Sequence, residues 1–460
     1  MWTKKSENET HGSPMKEFSS TTKIAPGAIG EYNEKDELYD PFEHRDKKNS
    51  NSDIGALAHL LKSSLGTGIL AMPNAIKNGG LIFGGLGTII IGILCAHCVH
   101  ILVKSSHVLC RRMKTPKMTY AETAQAAFAS GPRSVRPFAN FMKGTVDTAL
   151  CATYIGGACV YVVFVATSVK QVAEFYTPGT TIDIRLYIVA LVPALILLAQ
   201  VRNLKYLVPF SFLANVFIVV GLAITLYYIF TDLKPISTVK YVSNVENLPI
   251  FFATVIFAIE GIGVVMPVEN SMKKPHHFLG CPSVLNITMT IVVTLYAIVG
   301  IFGYVRYGAA TESIVTLNLD VSLPVAQAAK LLIALAILFT YGLQFFVPLE
   351  IMSNAIRPRF SHKFAGIGET IFRVFMVFLT VIIAIAIPNL EPFISLVGAV
   401  FFSFLGICIP AVVETISCWE CHLGTAKWRL IKNILLASFS MFALVTGSYV
   451  SLVEIIKIYS

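Results

Sequence analysis

Two stretches of this sequence place ionisable and helix-breaking residues inside long apolar runs. In 54–78, IGALAHLLKSSLGTGILAMPNAIKN, His59 and Lys62 precede Gly66-Thr67-Gly68 and Pro73. In 249–270, PIFFATVIFAIEGIGVVMPVEN, Glu260 precedes Gly261-Ile262-Gly263 and Met266-Pro267. Ionisable residues are costly inside a bilayer and by default line a pathway. His59, Lys62 and Gly66 are spaced three and four apart, so they share one helical face that leads to the first glycine pair. Histidine changes charge between about pH 5 and 8, which suits proton coupling. Lys62, a cation one turn away, either assists that site or reaches back to the membrane surface. A carboxylate at Glu260 must be paired or protonated. It has three available roles: exchanging a proton, binding a substrate ammonium or anchoring Lys62.

The glycines and prolines tell what surrounds these groups. A helix interrupted inside a bilayer needs protein or a wet cavity to satisfy its freed N–H and C=O groups. Paired interruptions at matching places in two halves of a chain point to a transport site between discontinuous helices. Such a site suits a zwitterion. N–H groups of Gly66, Thr67 and Gly68, with the Thr67 hydroxyl, would take a carboxylate. Carbonyls freed around 257–261, at Phe257 through Gly261, would take an ammonium, with Glu260 nearby. Candidate walls are Phe257, Tyr154 or Tyr161, and Tyr341 or Gln344. Two alternatives stay open: the glycines could serve close helix packing alone, and converging oxygens could hold sodium instead of a proton.

Composition sets the class. With 460 residues, 55% hydrophobic and 14% charged, the chain reads as an all-α polytopic membrane protein. The alternating segments of a barrel are missing. Residues 1–53 hold 8 Lys/Arg and 11 Asp/Glu and read as a disordered cytosolic tail. The net charge of +9 therefore comes from short loops between apolar spans, which fits membrane orientation and not nucleic acid. No nucleophile elbow, phosphate loop or metal motif is present, so no enzyme and no cofactor is expected. Cys95/Cys98 and Cys418/Cys421 have metal-like spacing but lack a second pair to complete four ligands. No disulfide framework is expected.

Apolar runs of bilayer length predict eleven transmembrane helices, at about 54–77, 80–104, 144–172, 184–201, 206–230, 248–271, 284–305, 323–356, 366–387, 393–413 and 430–456. Loops after the even-numbered helices carry 19 Lys/Arg against 7 on the other side, which puts the N-terminus in the cytosol and the C-terminus outside or in a lumen. The broken first and sixth helices are five spans apart. An odd repeat must invert, so helices 1–5 (54–230) and 6–10 (248–413) form a 5+5 inverted-repeat transporter fold, with helix 11 added.

The segments HLLKSSLGTGILAMPNAIKNGG (59–80), FAIEGIGVVMPVENSMKKP (257–275), RNLKYLVPFSFLAN (202–215), YGLQFFVPLEI (341–351) and ISLVGAV (394–400) resemble the proton-coupled amino acid transporters, a branch of the amino acid/auxin permease superfamily. The resemblance implies an eleven-helix inverted repeat that carries a proton together with small neutral amino acids such as glycine, alanine and proline. It implies the plasma membrane or endosomal-lysosomal membranes as the location, and it maps the family's proposed proton acceptor onto His59. An outer-loop cysteine pair found in several members is missing here, and Ala71 and Met72 depart from relatives near the glycine break. Because some members act as growth-regulating nutrient sensors, cytosolic signalling partners are an alternative expectation, as is a sodium-coupled carrier.

Overall fold

The structure, a computed structural model, describes residues 39–45, 50–64, 66–179, 181–202, 204–259, 261–356, 365–419 and 427–459. Among these, every extended element is helical. In chain order they are α1 (Asp53–Ser64), α2 (Thr67–Gly79), α3 (Leu81–Met113), α4 (Tyr120–Ala129), α5 (Ala139–Tyr176), α6 (Ile184–Ala190), α7 (Val192–Ala199) and α8 (Leu204–Thr231). There follow α9 (Leu248–Ile259), α10 (Ile262–Asn270), α11 (Val284–Tyr307), α12 (Pro324–Ile356), α13 (Ala365–Ala386), α14 (Leu390–Val397), α15 (Ile409–Ser417) and α16 (Trp428–Tyr459). Among the described residues nine helical paths are long and apolar enough to cross a bilayer. The bent pair α1/α2 makes a tenth, and 184–199 is a shorter apolar segment where the fourth span was expected.

The helices differ from the expected spans where local chemistry overrides hydropathy. Pro193 stands in the first turn of α7, and the chain kinks there, splitting the fourth span into α6 and α7. The α3 helix runs on to Met113, well past the expected end at 104, and is closed by Lys114 in the left-handed conformation. The basic stretch 104–143 contains α4, started by a capping box in which Thr119 and Glu122 satisfy each other's backbone N–H. Glu122 is therefore a buried cap. Between α14 and α15 the tenth span relaxes into two π-helical stretches, 398–402 and 404–408, a departure that often marks functional helices.

Part of the segment expected to be a disordered tail packs. Arg45 donates to the Glu269 carboxylate at 2.9 Å and, through Nε, to the Pro116 carbonyl at 2.8 Å. His107 reaches the same carboxylate at 2.8 Å, and Glu269 is fully buried. Glu269 is thus a buried, doubly partnered anion, because the chain just before α1 supplies a cation for it. The rest of the tail expectation, 1–38 and 46–49, lies outside the described residues.

Glycine sets the closest helix approaches. A Cβ on Gly398 would collide with the Ala253 carbonyl oxygen, which is how the π-helical stretch lies against α9, whereas a Cβ on Gly144 would meet nothing within 4 Å. Gly398→Ala should therefore lower the Tm of the detergent-purified protein, at a cost of ~1–3 kcal/mol for overpacking. Gly144→Ala should leave it unchanged, with thermal unfolding read by tryptophan fluorescence.

Candidate functional site

The first interruption is a true break. The α1 helix, ending at Ser64, and the α2 helix, starting at Thr67, are bent by 52° relative to each other. Gly66 adopts an extended backbone (φ −138°, ψ −142°), and its N–H turns back to the Ser64 carbonyl at 2.9 Å. The end of α1 is partly tied down. The Ser63 and Ser64 hydroxyls donate to the Leu60 carbonyl at 2.8 and 3.1 Å, and the Tyr296 hydroxyl of α11 donates to the Ser64 carbonyl. What remains unmatched is the first turn of α2, whose N–H groups have no preceding helical carbonyls.

The second interruption lies between Ile259 and Ile262, with its two halves more nearly collinear. A Cβ on Gly68 would fall 2.8 Å from both the Cα and the carbonyl oxygen of Ala258. The first turn of α2 therefore lies directly against the last turn of α9. One contributes orphan donors and the positive end of a helix dipole, the other orphan carbonyls and a negative end. A Cβ on Gly261 would lie 3.9 and 4.0 Å from the Ser63 and Ser64 hydroxyls, so the end of α1 meets the start of α10 at the same place. Four helix termini converge, and opposite partial charges sit side by side. Glu260, expected to share this site, lies outside the described residues.

The third span supplies a wall. Tyr154, Gly157 and Tyr161 are spaced three and four apart on α5 and so share one face. A Cβ on Gly263 would lie 2.5 Å from the Tyr154 hydroxyl, and one on Gly66 would lie 3.9 Å from that of Tyr161. Each tyrosine thus covers one break, and Tyr161 also interacts with the Thr67 hydroxyl. Gly157, between them, faces Gln344 of α12, whose Oε1 would be 3.3 Å from a Cβ there. That Oε1 is buried with no hydrogen-bond partner among the described residues, and a buried orphan acceptor is costly unless something donates to it. Gly66, Gly261, Gly263, Tyr154 and Gln344 keep partial exposure while Thr67 and Gly68 are buried.

Other expected residues sit elsewhere. Phe257 packs edge-on against Phe402 at 5.6 Å and is 8% exposed, beside the break. Tyr341 is fully buried, stacked on Phe345 at 5.1 Å and 3.1 Å from the Thr380 hydroxyl, so it ties α12 to α13 and faces neither break. The expected common face of His59, Lys62 and Gly66 is split. The Lys62 ammonium turns away to the Ser211 hydroxyl on α8, a partner that replaces both the pathway and the snorkelling roles. His59 is exposed, one turn from Ser63, which is also exposed and adjoins Gly261. The open strip of α1 therefore runs His59 to Ser63 to the second break. His97, inside the second span, accepts from Lys432 at 3.0 Å, and Lys432 also pairs with Glu414 at 2.7 Å.

Sequence reasoning missed Tyr296, Ser63, Ser64 and Gly157. The serines were legible as helix-terminus carbonyl partners just before a glycine break. Tyr296 and Gly157 carry no local signal, since their partners are more than a hundred residues away. Among the described residues no group of three His, Cys, Asp or Glu side chains could hold a metal ion. Cys95 and Cys98 are buried in the core, and Cys421 lies outside the described residues.

Comparison with known proteins gives three kinds of match. The family model described as "Transmembrane amino acid transporter protein" matches residues 50–453. The chain is 44% identical over 422 residues to the "Proton-coupled amino acid transporter-like protein pathetic" of Drosophila melanogaster, covering 92% of this chain and 89% of that one. It is 28% identical to "Vacuolar amino acid transporter 3" of Saccharomyces cerevisiae, covering 91% of this chain and 58% of the yeast protein. Among solved structures, inward-facing Mhp1 matches with TM-score 0.46 at 13% identity, covering 90% of this chain and 91% of that one. The closed form of Mhp1 with bromovinylhydantoin bound matches with TM-score 0.47 at 15% identity, covering 90% and 93%. At those TM-scores the likeness carries nothing about site or conformational state. The family match across nearly the whole chain, joined to the relative at 44% identity, places this multi-pass membrane protein in the transmembrane amino acid transporter family, whose named members are carriers of amino acids and not enzymes.

Proposed function

We propose that the chain is a proton-coupled symporter of small neutral amino acids working by alternating access. The observation that carries this reading is the contact of the α2 N-terminal turn with the α9 C-terminal turn at Gly68 and Ala258. An amino acid zwitterion carries its carboxylate and its ammonium on the same carbon, and this juxtaposition offers N–H donors for the first and carbonyls for the second. The Thr67 hydroxyl adds a donor, and Glu260 would stand at the ammonium end. Tyr154, Tyr161 and Gln344 crowd the remaining volume, which favours small side chains. Proton coupling is supported by the printed name of the Drosophila relative and by the exposed position of His59 on the strip that leads to the breaks. The yeast relative's name points to an endomembrane, so endosomal-lysosomal residence is proposed alongside the plasma membrane. The cytosolic N-terminus follows from the Lys/Arg asymmetry.

One observation favours a second reading, a sensor whose cytosolic segment engages signalling proteins. Arg45 locks residues just before α1 onto α10, the inner half of the second broken span, through Glu269. A change at the break would thereby be felt by the tail.

Uptake of labelled glycine, alanine and proline into proteoliposomes, at two external pH values with and without sodium, tests the symport reading and its coupling ion. Drive by an inward proton gradient with indifference to sodium is expected. A sodium-dependent, pH-indifferent flux would overturn the proton assignment. His59→Ala should reduce gradient-driven uptake at least ~10-fold while leaving amino acid exchange in place, as removal of a proton site requires. Gln344→Leu should raise KM by ~10-fold or more with little change in surface expression, since a hydrogen bond to a buried acceptor is worth ~1–3 kcal/mol. An unchanged KM would remove Gln344 from the site.

A further inference from the structure

The end of the bundle that carries the Lys/Arg excess has one corner where large aromatic rings and cations lie together on the surface. Three elements build it. The last turn of α4 and the first turn of α5 pack through Phe128, Ala129 and Ala139 against Val412 and Ile416 of α15. A Cβ on Gly131 would lie 2.4 Å from the Ile416 side chain, so the turn between α4 and α5 rests on the end of α15. Arg112 of α3 closes the third side by donating to the Ser417 carbonyl at 3.0 Å. From there the chain reaches Trp419 and, after residues 420–426, which lie outside the described residues, enters α16 at Trp428.

This corner does not look like a water-facing turn. Phe138 and Phe141 are 56% and 69% exposed, and Trp419 and Trp428 are 47% and 51% exposed. Rings of this size dominate burial energetics, yet the fold leaves all four uncovered. Among them stand exposed cations, Arg133 and Arg136 in the α4–α5 turn and Lys427 just before α16. Arg136 is fixed through its Nε, which donates to the Gly131 carbonyl at 2.8 Å. Arg133 and Lys427 make no hydrogen bond or ion pair among the described residues. The neighbouring acids face other cations. Glu414 pairs with Lys432 at 2.7 Å, and Asp147 is set against Lys143 one turn before it on α5. Glu420 lies outside the described residues.

Depth decides what covers it. The α16 helix has 32 residues and is ~48 Å long, close to the ~40–45 Å of a bilayer with its headgroups. Its first residues therefore stand at headgroup level, and the packing through Ile416 brings the α4–α5 turn to the same level. Positive charge alone is the ordinary mark of one membrane side, and aromatic rings alone are the ordinary mark of an interface. Here both are gathered on two elements that touch. We propose that this corner binds an anionic phospholipid of the leaflet it faces, with Arg133, Arg136 and Lys427 around the phosphate and the four rings where headgroups meet acyl chains. A soluble acidic partner would match the cations and leave the rings in water, whereas a lipid satisfies both. The proposal is independent of the coupling ion and of the amino acid carried.

Two of the three tryptophans, Trp419 and Trp428, lie at this corner, so fluorescence reports its occupant once Trp2 is replaced by Phe. The full-length Trp2→Phe protein in nanodiscs is titrated with brominated phosphatidylglycerol or brominated phosphatidylcholine, whose bromines quench nearby indoles. Half-maximal quenching should need at least ~10-fold less of the anionic lipid, because each cation near an anionic surface is worth several-fold in affinity. Arg133→Gln combined with Lys427→Gln should make the two lipids equally potent, and Arg133→Gln alone should cut the preference ~3–5-fold. Neither substitution removes a described contact, so folding is not at stake. Lys234→Gln, an exposed cation at the other end of the bundle, should keep the full preference. In ~1 M salt, where the screening length is about 3 Å, the preference should vanish. Equal quenching by both lipids in the unsubstituted corner overturns the proposal and leaves its cations to a soluble acidic partner. A preference that survives the double substitution also overturns it, by placing the lipid elsewhere. Relief of quenching by inorganic phosphate, at ionic strength matched with chloride, would overturn it in favour of a free-anion site.

Discussion

A bilayer offers no water to backbone groups, so a transmembrane helix can stop and restart only where something else meets its loose N–H and C=O groups. That constraint organises this molecule. At the first break the obligation is divided unevenly. The Tyr296 hydroxyl and the Gly66 N–H meet the last carbonyl of α1, at Ser64, and two serine hydroxyls bond back to that of Leu60, while the N–H groups at the start of α2 are left facing the carbonyl end of α9. On the proposed function, the N–H side of the interruption is the side that takes the ligand. A zwitterionic amino acid is a molecule with the right pair of groups to complete it.

The surrounding helices make that arrangement possible. Gly68 lets α2 and α9 approach to backbone contact, and Gly398 lets the π-helical stretch of the tenth span press on α9 from the other side. On α5, tyrosines and a glycine alternate so that one hydroxyl covers each break and the gap between them is left to Gln344. At either end of the bundle a carboxylate ties a half-helix to its surroundings. Glu269 holds α10 to the chain before α1, and Glu391 holds α2 to α14.

Much of this was legible in the sequence, and the limits have physical reasons. Apolar run length located the spans, and Gly66-Thr67-Gly68 located the first break, because hydropathy and helix breaking are local properties. Periodicity put His59, Lys62 and Gly66 on one face, yet it could not say that Ser211, far along the chain, would draw Lys62 away. The same blindness hid Arg45 as the partner of Glu269 and Glu391 as the partner of Asn74 and Asn78. Tyr341 looked like a wall residue because of its place in an apolar span. Only the packing of α13 shows that Thr380 takes its hydroxyl. The π-helical stretch has no clear sequence mark, since an extra residue per turn is fixed by neighbours such as Ala253 and Phe257.

The central claim is that the unmatched turn of α2 and the last turn of α9 together hold the amino acid. The most direct measurement is a high-resolution structure of the protein with alanine bound. The account predicts the ligand carboxylate within hydrogen-bond distance of the main-chain N–H groups of Thr67 and Gly68, and its ammonium against the carbonyls of Phe257 to Ile259. Alanine seated away from both breaks, or α2 and α9 closed on each other with the ligand bound elsewhere, would contradict it.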